Sequence, residues 1–469
     1  MSANNTEIYG KSLVELKAML DAKTISAKEL DAYFRERVKK HEDKIHSYIT
    51  LAPEDFNNDR PTTGKLAGLP IAVKDIFATK DLRTTAASKV LDKFIPPYES
   101  TVTQRIIDEG AWITGKTNMD AWAHGASSET SAYGLTYNPW DLNRYPGGSS
   151  SGSAAVVSAY MAPASLGTDT GGSIRNPAAW CGVLGLKPTY GRVSRYGIAA
   201  MGSSLDSPGP MGLYTEDLAL LMEVIAGQDP FDATSSEVNV PAYTDEIKKD
   251  RKFTIGLASE YINDSEPDIQ RQIMLMVDEL KKMGHKVKEV SLTDPKYAIS
   301  VYTIVNRAEV SSNLARLHGV RYSGSRELFG PEAKRRSMLG AYTLSAGYAD
   351  EYYKTAQKVR KLLRNEFEKT FEDVDLIIAP SAPVTALEVG EFEKYPFFGE
   401  LMDRLNEPAS VTGLPAMSVP AGLDGKGLPV GLQIIGPAFG ESEILNLSYQ
   451  IEKETEFFGV IKEGLEKWR

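Results

Sequence analysis

Residues 146–189 read PGGSSSGSAAVVSAYMAPASLGTDTGGSIRNPAAWCGVLGLKPT. Gly, Ser, Ala and Pro dominate this stretch and continue to Gly209, so the backbone there is built to pass close to something. It holds two serine loops, Gly147-Gly-Ser149-Ser-Ser-Gly152 and Gly167-Thr-Asp-Thr-Gly171-Gly172-Ser173-Ile-Arg175. The second runs into a helix opened by Asn176-Pro177, so successive backbone N–H groups can converge on one oxygen, as an oxyanion hole requires. A serine is a weak nucleophile and needs a base. The chain has five histidines, of which His285 follows a helix stop and His318 lies in a charged helix; both read as surface residues. Lysine is the remaining candidate. Lys74 stands at the end of the apolar strand Leu69-Pro-Ile-Ala-Val73. It acts as a base only when neutral, which needs its pKa to fall from about 10.4 by roughly 3 units through desolvation or a cationic neighbour. Strand position alone favours a surface lysine paired with Asp75, and the surrounding serine and glycine loops shift the balance toward a base.

The 469 residues admit about three average domains or one large α/β domain. Hydrophobic residues at 42% and charged residues at 25% exclude disorder as the main state. Asp and Glu outnumber Lys and Arg by 63 to 53, for a net charge of −10, which argues against a basic nucleic-acid-binding surface on this chain. The single cysteine, Cys181, excludes an intrachain disulfide framework and a cysteine-rich zinc site. It sits in the apolar run Trp180-Cys-Gly-Val-Leu184 and reads as core. Met1-Ser-Ala-Asn-Asn-Thr-Glu lacks a basic region followed by an apolar one, and the run from Ala154 to Gly167 is too interrupted to span a bilayer. A cytoplasmic protein without a membrane partner is the expectation.

Ser12-Leu-Val-Glu15 and Ser26-Ala-Lys-Glu29 are capping boxes, and residues 1–60 read as N-terminal helices. Residues 65–225 hold the serine loops, with a helix from Thr101 to Glu109 stopped by Gly110 and a strand at Ala111–Thr114. Asp229 to Arg251 reads as a polar surface connection. Residues 250–370 give strand Phe253–Ala258, helix Pro267–Met283, strand Lys286–Ser291 and a helical stretch from Tyr302 to Thr370. Residues 371–469 give strands at Asp375–Ala379, Ala416–Val419 and Val430–Ile435, and a helix from Ser442 to Phe457. Helices interleaved with short apolar strands predict an α/β architecture, read as one domain over 1–469.

Three motifs fail on context. Gly110-Ala-Trp-Ile-Thr-Gly115-Lys116-Thr117 fits a phosphate loop, but its central residues are themselves a strand. Asp169-Thr-Gly171 has no second copy to complete a carboxylate dyad. Gly148-Ser-Ser150-Ser-Gly152 fits a nucleophile elbow, yet a loop rather than a strand precedes it.

The run from Gly147 through Thr189 resembles the amidase signature family. That resemblance implies a large mixed central β-sheet covered by helices on both faces, and a Ser–cis-Ser–Lys triad. It implies Ser173 as nucleophile, Ser149 as the bridging serine on a cis peptide, and Lys74 as base. The oxyanion-hole amides would be those of Thr170, Gly171, Gly172 and Ser173. Thr189-Tyr-Gly-Arg-Val-Ser-Arg-Tyr-Gly197, Ser203-Ser-Leu-Asp206, Ser311-Ser-Asn-Leu-Ala-Arg316 and Ser345-Ala-Gly-Tyr348 through Arg360 are similar to the A subunits of tRNA-dependent amidotransferases. In that subfamily Arg336 would hold the α-carboxylate of glutamine, Asp403 its α-amino group, and Tyr302 would be a further contact. A zwitterion in a partly dry pocket needs both charges paired, which agrees.

The resemblance further implies B and C subunits as partners in a heterotrimer, with no metal or cofactor on this chain. ATP and Mg²⁺ would be used through the B subunit, which would also take the misacylated tRNA. The product would be Gln-tRNA(Gln) from Glu-tRNA(Gln), Asn-tRNA(Asn) from Asp-tRNA(Asn), or both. The alternatives are a stand-alone amidase of small or aryl amides and a silent scaffold subunit. The chain departs from the family pattern at His124, where methionine is common, at Ser151, at Ser410, and in a short loop between Tyr322 and Lys334. His124 reads as a tolerated substitution at the pocket edge.

Overall fold

The computed structural model describes residues 8–317, 325–395, 398–455, 459, 464 and 466–469. His318, Tyr322, Phe457 and the extreme N-terminal residues lie outside them. Eleven strands among the described residues join in one sheet. They are β1 (Tyr48–Leu51), β2 (Pro70–Lys74), β3 (Trp112–Thr117), β4 (Ala164–Asp169), β5 (Leu184–Lys187), β6 (Ser207–Gly212), β7 (Thr254–Ala258), β8 (Lys286–Val290), β9 (Leu376–Pro380), β10 (Ala416–Leu423) and β11 (Pro429–Ile435). Their order is β1-β3-β2-β4-β6-β5-β10-β11-β9-β7-β8. The sheet is mixed: β2 runs parallel to β3 and β4, and β7 to β8 and β9, while β6, β5, β10 and β11 are joined by antiparallel pairs. Every residue of β2, β4, β5, β6, β9 and β11 is buried. Successive strand residues point to opposite faces, so both faces of this part of the sheet are covered.

The local signals hold where they rest on side-chain chemistry. Both capping boxes form: Ser12 caps α1 (Leu13–Asp21) with Glu15 returning to its N–H, and Ser26 with Glu29 does the same for α2 (Ala27–Ile45). The helix stopped by Gly110 is α3 (Thr101–Asp108), and Gly110 takes φ +83. Gly115, Lys116 and Thr117 lie inside β3, so that segment does not loop around a phosphate.

Four strands were not expected. β1 falls within residues 1–60, read as helices, and is a half-exposed strand that corrects that reading. β4, β5 and β6 read as loop or small apolar sequence because strands buried on both faces lose alternation, and Gly and Pro argue against a strand interior. β6, Ser-Pro-Gly-Pro-Met-Gly, is the extreme case. The serine-rich run after Ser150 instead forms α4 (Ser151–Ser158), and the helix at Asn176-Pro177 is α5 (Arg175–Cys181). The stretch from Tyr302 to Thr370 breaks into α6 (Lys296–Ala315), α7 (Pro331–Thr343) and α8 (Lys354–Thr370). Pro331 starts the second of these after Gly330 at φ +81. One surface assignment is corrected: His285 is buried, its Nδ1 accepting the Phe253 N–H at 3.1 Å. The Asp229–Arg251 connection is mostly exposed, as expected, and is tied down where Asp229 accepts hydroxyl hydrogen bonds from Thr101 and Ser194.

Candidate active site

Parallel pairing of β2 with β4 places Lys74, at the end of β2, beside Thr168 of β4. Lys74 is fully buried, and its ammonium donates to Ser149 Oγ at 2.8 Å, Ser150 Oγ at 2.8 Å and Thr168 Oγ1 at 2.9 Å. It does not pair with Asp75, which faces Lys116 at 3.8 Å instead. Burial lowers the Lys74 pKa to about 7, against the opposing pull of the carboxylates of Asp120, Asp169 and Asp206. The surface-lysine alternative is therefore excluded, and a large neutral fraction exists near pH 7. Spacing alone did not single out Ser150 and Thr168, although both stand beside residues that the motif does single out.

The peptide bond between Gly148 and Ser149 is cis. The two serine loops are tied together, since the N–H of Ser150 donates to the carbonyl of Ser173 at 3.1 Å. Asp169, the residue that mimicked a protease dyad, anchors the second loop. It accepts from Arg175 Nε and Nη2, both at 2.9 Å, and from the Ile174 N–H at 3.1 Å. Burial opposes the charge of Asp169, but Arg175 holds its pKa below the ordinary value. Between these anchors the N–H groups of Thr170, Gly171, Gly172 and Ser173 have no acceptor among the described residues. Thr170 is fixed through its hydroxyl, which donates to Asp206 at 2.7 Å. Ser173 is buried within this loop.

Tyr302 and Asp403 pack directly against the same loop. A Cβ on Gly171 would meet Tyr302 Cζ at 2.9 Å, and one on Gly172 would collide with Asp403 Oδ1. Glycine is required at both positions for the same reason: side chains from elsewhere occupy that space. Burial pushes the Asp403 carboxyl well above the usual range, with Asp169 adding to it, and its Oδ1 has no partner among the described residues. Arg336 lies next to Tyr302 and acts on its hydroxyl. Its Nε donates to Glu332 at 2.6 Å, its Nη1 to Asn306 Oδ1 at 3.2 Å, and its Nη2 faces Glu400 at 3.6 Å. Arg336 is thus partly neutralised in advance, which sequence alone did not disclose. Arg336, Glu332, Glu400, Phe398 and His124 border a cavity of about 750 Å³. His124 is fully buried in that wall, and neither ring nitrogen has a partner among the described residues. Ser410 receives Arg175 Nη2 at 2.7 Å. Cys181 is in the core, as expected. Among the described residues no group of three or more His, Cys, Asp or Glu is placed to hold a metal ion, and no helix is long and apolar enough to cross a membrane.

The family profile described as Amidase matches residues 25–445. The chain belongs to the amidase family. Within it, the chain is 46% identical over 466 residues to the A subunit of the glutamyl-tRNA(Gln) amidotransferase of Halothermothrix orenii, covering 95% of this chain and 98% of that one. It is 47% identical over 478 residues to the protein of the same name from a Sulfurihydrogenibium species, covering 96% and 98%. Among solved structures it resembles the corresponding glutamyl-tRNA(Gln) amidotransferase protein of Thermotoga maritima, with a TM-score of 0.83, 38% identity and 95% of each chain covered. The amidase fold therefore accounts for the mixed sheet and for the meeting of Lys74 with both serine loops.

Proposed function

We propose that this chain is the glutamine-hydrolysing component of a glutamyl-tRNA(Gln) amidotransferase. The observation that carries the reading is the buried Lys74 ammonium 2.8 Å from Ser149 Oγ, with its pKa brought to about 7. Near-full-length similarity to the A subunits of such enzymes supports it.

In this reading neutral Lys74 takes the proton of Ser149, which takes that of Ser173 as its Oγ attacks the side-chain carboxamide carbon of glutamine. The free N–H groups of the Thr170–Ser173 loop hold the oxyanion. Collapse breaks the C–N bond, and ammonia leaves with a proton returned through Ser149. Water then adds to the γ-glutamyl ester, releasing glutamate and restoring Ser173. Arg336 receives the α-carboxylate, and Asp403 the α-ammonium, whose charge supplies what the unpartnered Oδ1 lacks. The ammonia passes to a B subunit that activates Glu-tRNA(Gln), or Asp-tRNA(Asn), with ATP and Mg²⁺, a C subunit completes the assembly, and the complex works in the cytoplasm.

Replacing Ser173 tests the division of labour. Ser173→Ala in the assembled complex is expected to abolish glutamine-driven amidation and to leave amidation driven by ammonium salts intact. Loss of both in a correctly assembled complex contradicts it.

A further inference from the structure

Glu407 opens the short helix Glu407–Thr412, just beyond the turn that carries Asp403. Its side chain is fully buried, and neither carboxyl oxygen has a hydrogen-bond partner among the described residues. Buried polar groups in folded proteins are almost always satisfied, so an orphaned carboxyl calls for an occupant. The same turn holds more of the same. Asp403 Oδ1 is unpartnered and buried. Asn406 spends its Nδ2 on the Ser381 carbonyl at 2.7 Å, leaving its Oδ1 without a donor. Four acceptor oxygens thus lie within residues 403–407, across the turn between two short helices, with no N–H or O–H of the described residues directed at them. The charges that act on Glu407 are the carboxyls of Asp403 and Glu400 and the guanidiniums of Arg336 and Arg307. Both arginines already have carboxylate partners, Arg336 in Glu332 and Arg307 in Glu400 at 2.7 Å.

The turn lies against the serine site. A Cβ on Gly172 would meet Asn406 Cβ at 2.9 Å and would collide with Asp403 Oδ1. Acceptors without donors, next to three carboxyls, repel an anion and attract a small cation rich in N–H groups. Among the described residues no cluster suits a metal ion. A primary ammonium has the right charge and three donors. We propose that Glu407 and Asp403 form a two-carboxyl seat for a primary ammonium, with Glu407 selecting amide substrates that carry an α-amino group. Burial pushes both carboxyls upward, with Asp403 adding to the effect at Glu407 and Asp169 at Asp403. The proposal rests on the glutamine reading above. The ammonium can be the α-ammonium of glutamine or the ammonium released from it.

The test uses the full chain with its partner subunits, comparing wild type with Glu407→Gln and Glu407→Met. Steady-state hydrolysis is measured on glutamine and on glutaramate, which is glutamine without its α-amino group. The expected result is a KM for glutamine raised about tenfold in both variants, kcat within about twofold, and glutaramate unaffected. Inhibition by ammonium chloride that weakens about tenfold, with glutamine KM unmoved, overturns the selection of α-amino substrates by Glu407 and leaves the seat to the released ammonium. Equal losses on both amides, or no change in either arm, overturn the seat. Thermal stabilisation of the wild type by ammonium chloride over sodium chloride needs neither turnover nor a variant, and its absence also overturns the seat. A wild-type complex that ignores glutamine yet shows that stabilisation refutes only the substrate reading.

Discussion

The serine loops within residues 146–189 and the turn from Asp403 to Glu407 face one another across the same site, yet they are held in opposite ways. In the first, every charge is answered: Asp169 has Arg175, and Lys74 has three hydroxyls. In the second, Asp403, Asn406 and Glu407 keep acceptors with no donor. The catalytic side is complete before substrate arrives, whereas the substrate side is left short of positive charge. Preorganised donors and bases favour the transition state, while unpaired carboxyls reward a ligand that brings the missing cation. Arg175 links the two sides, since its Nη1 donates to the Asn406 carbonyl at 2.9 Å and its Nη2 to Ser410.

This contrast predicts different kinetic signatures for the two sides. Lys74→Met removes the proposed proton acceptor and is expected to lower kcat by about 10³-fold or more with little change in KM, read by ammonia release from glutamine. A fall in substrate affinity alone would break the separation. Gly172→Ala puts a methyl group where Asp403 Oδ1 lies, so it strikes both sides together, with kcat/KM down about 10²-fold through lower kcat and higher KM. The pH dependence belongs to the catalytic side. In the proposed mechanism neutral Lys74 is the active form, and its pKa is about 7, so kcat/KM should fall about tenfold per pH unit below that value and level off above it. A profile flat down to pH 5 would remove Lys74 from the role of base. His124→Met is expected to change KM and kcat by less than about twofold, because a neutral buried imidazole without partners contributes no hydrogen bond that its loss could break.

The same contrast explains what the sequence disclosed. The catalytic loops are contiguous, and glycines beside serines reveal close backbone approach whatever surrounds them. Lys74 was readable only together with those loops, since its strand position alone favoured a surface lysine. Its alternative, pairing with Asp75, could be excluded only once Lys116 was seen to face that carboxylate. The substrate side draws Tyr302, Arg336 and Asp403 from three separate helices, and no local pattern connects them; resemblance alone named them. Glu407 and the Glu332 and Glu400 partners of Arg336 went unnoticed because an acidic residue near a helix start ordinarily reads as an exposed charge favoured by the helix dipole. The strands β4, β5 and β6 were hidden by the small residues that let the two serine loops pass so closely together.

Rapid acid quenching of the assembled complex during glutamine turnover, followed by intact-mass and peptide analysis, tests the central claim most directly. The account predicts a glutamyl ester on Ser173, absent in Ser173→Ala and formed far more slowly in Lys74→Met. Steady release of glutamate with no covalent species, or a glutamyl group on any other residue, would contradict it.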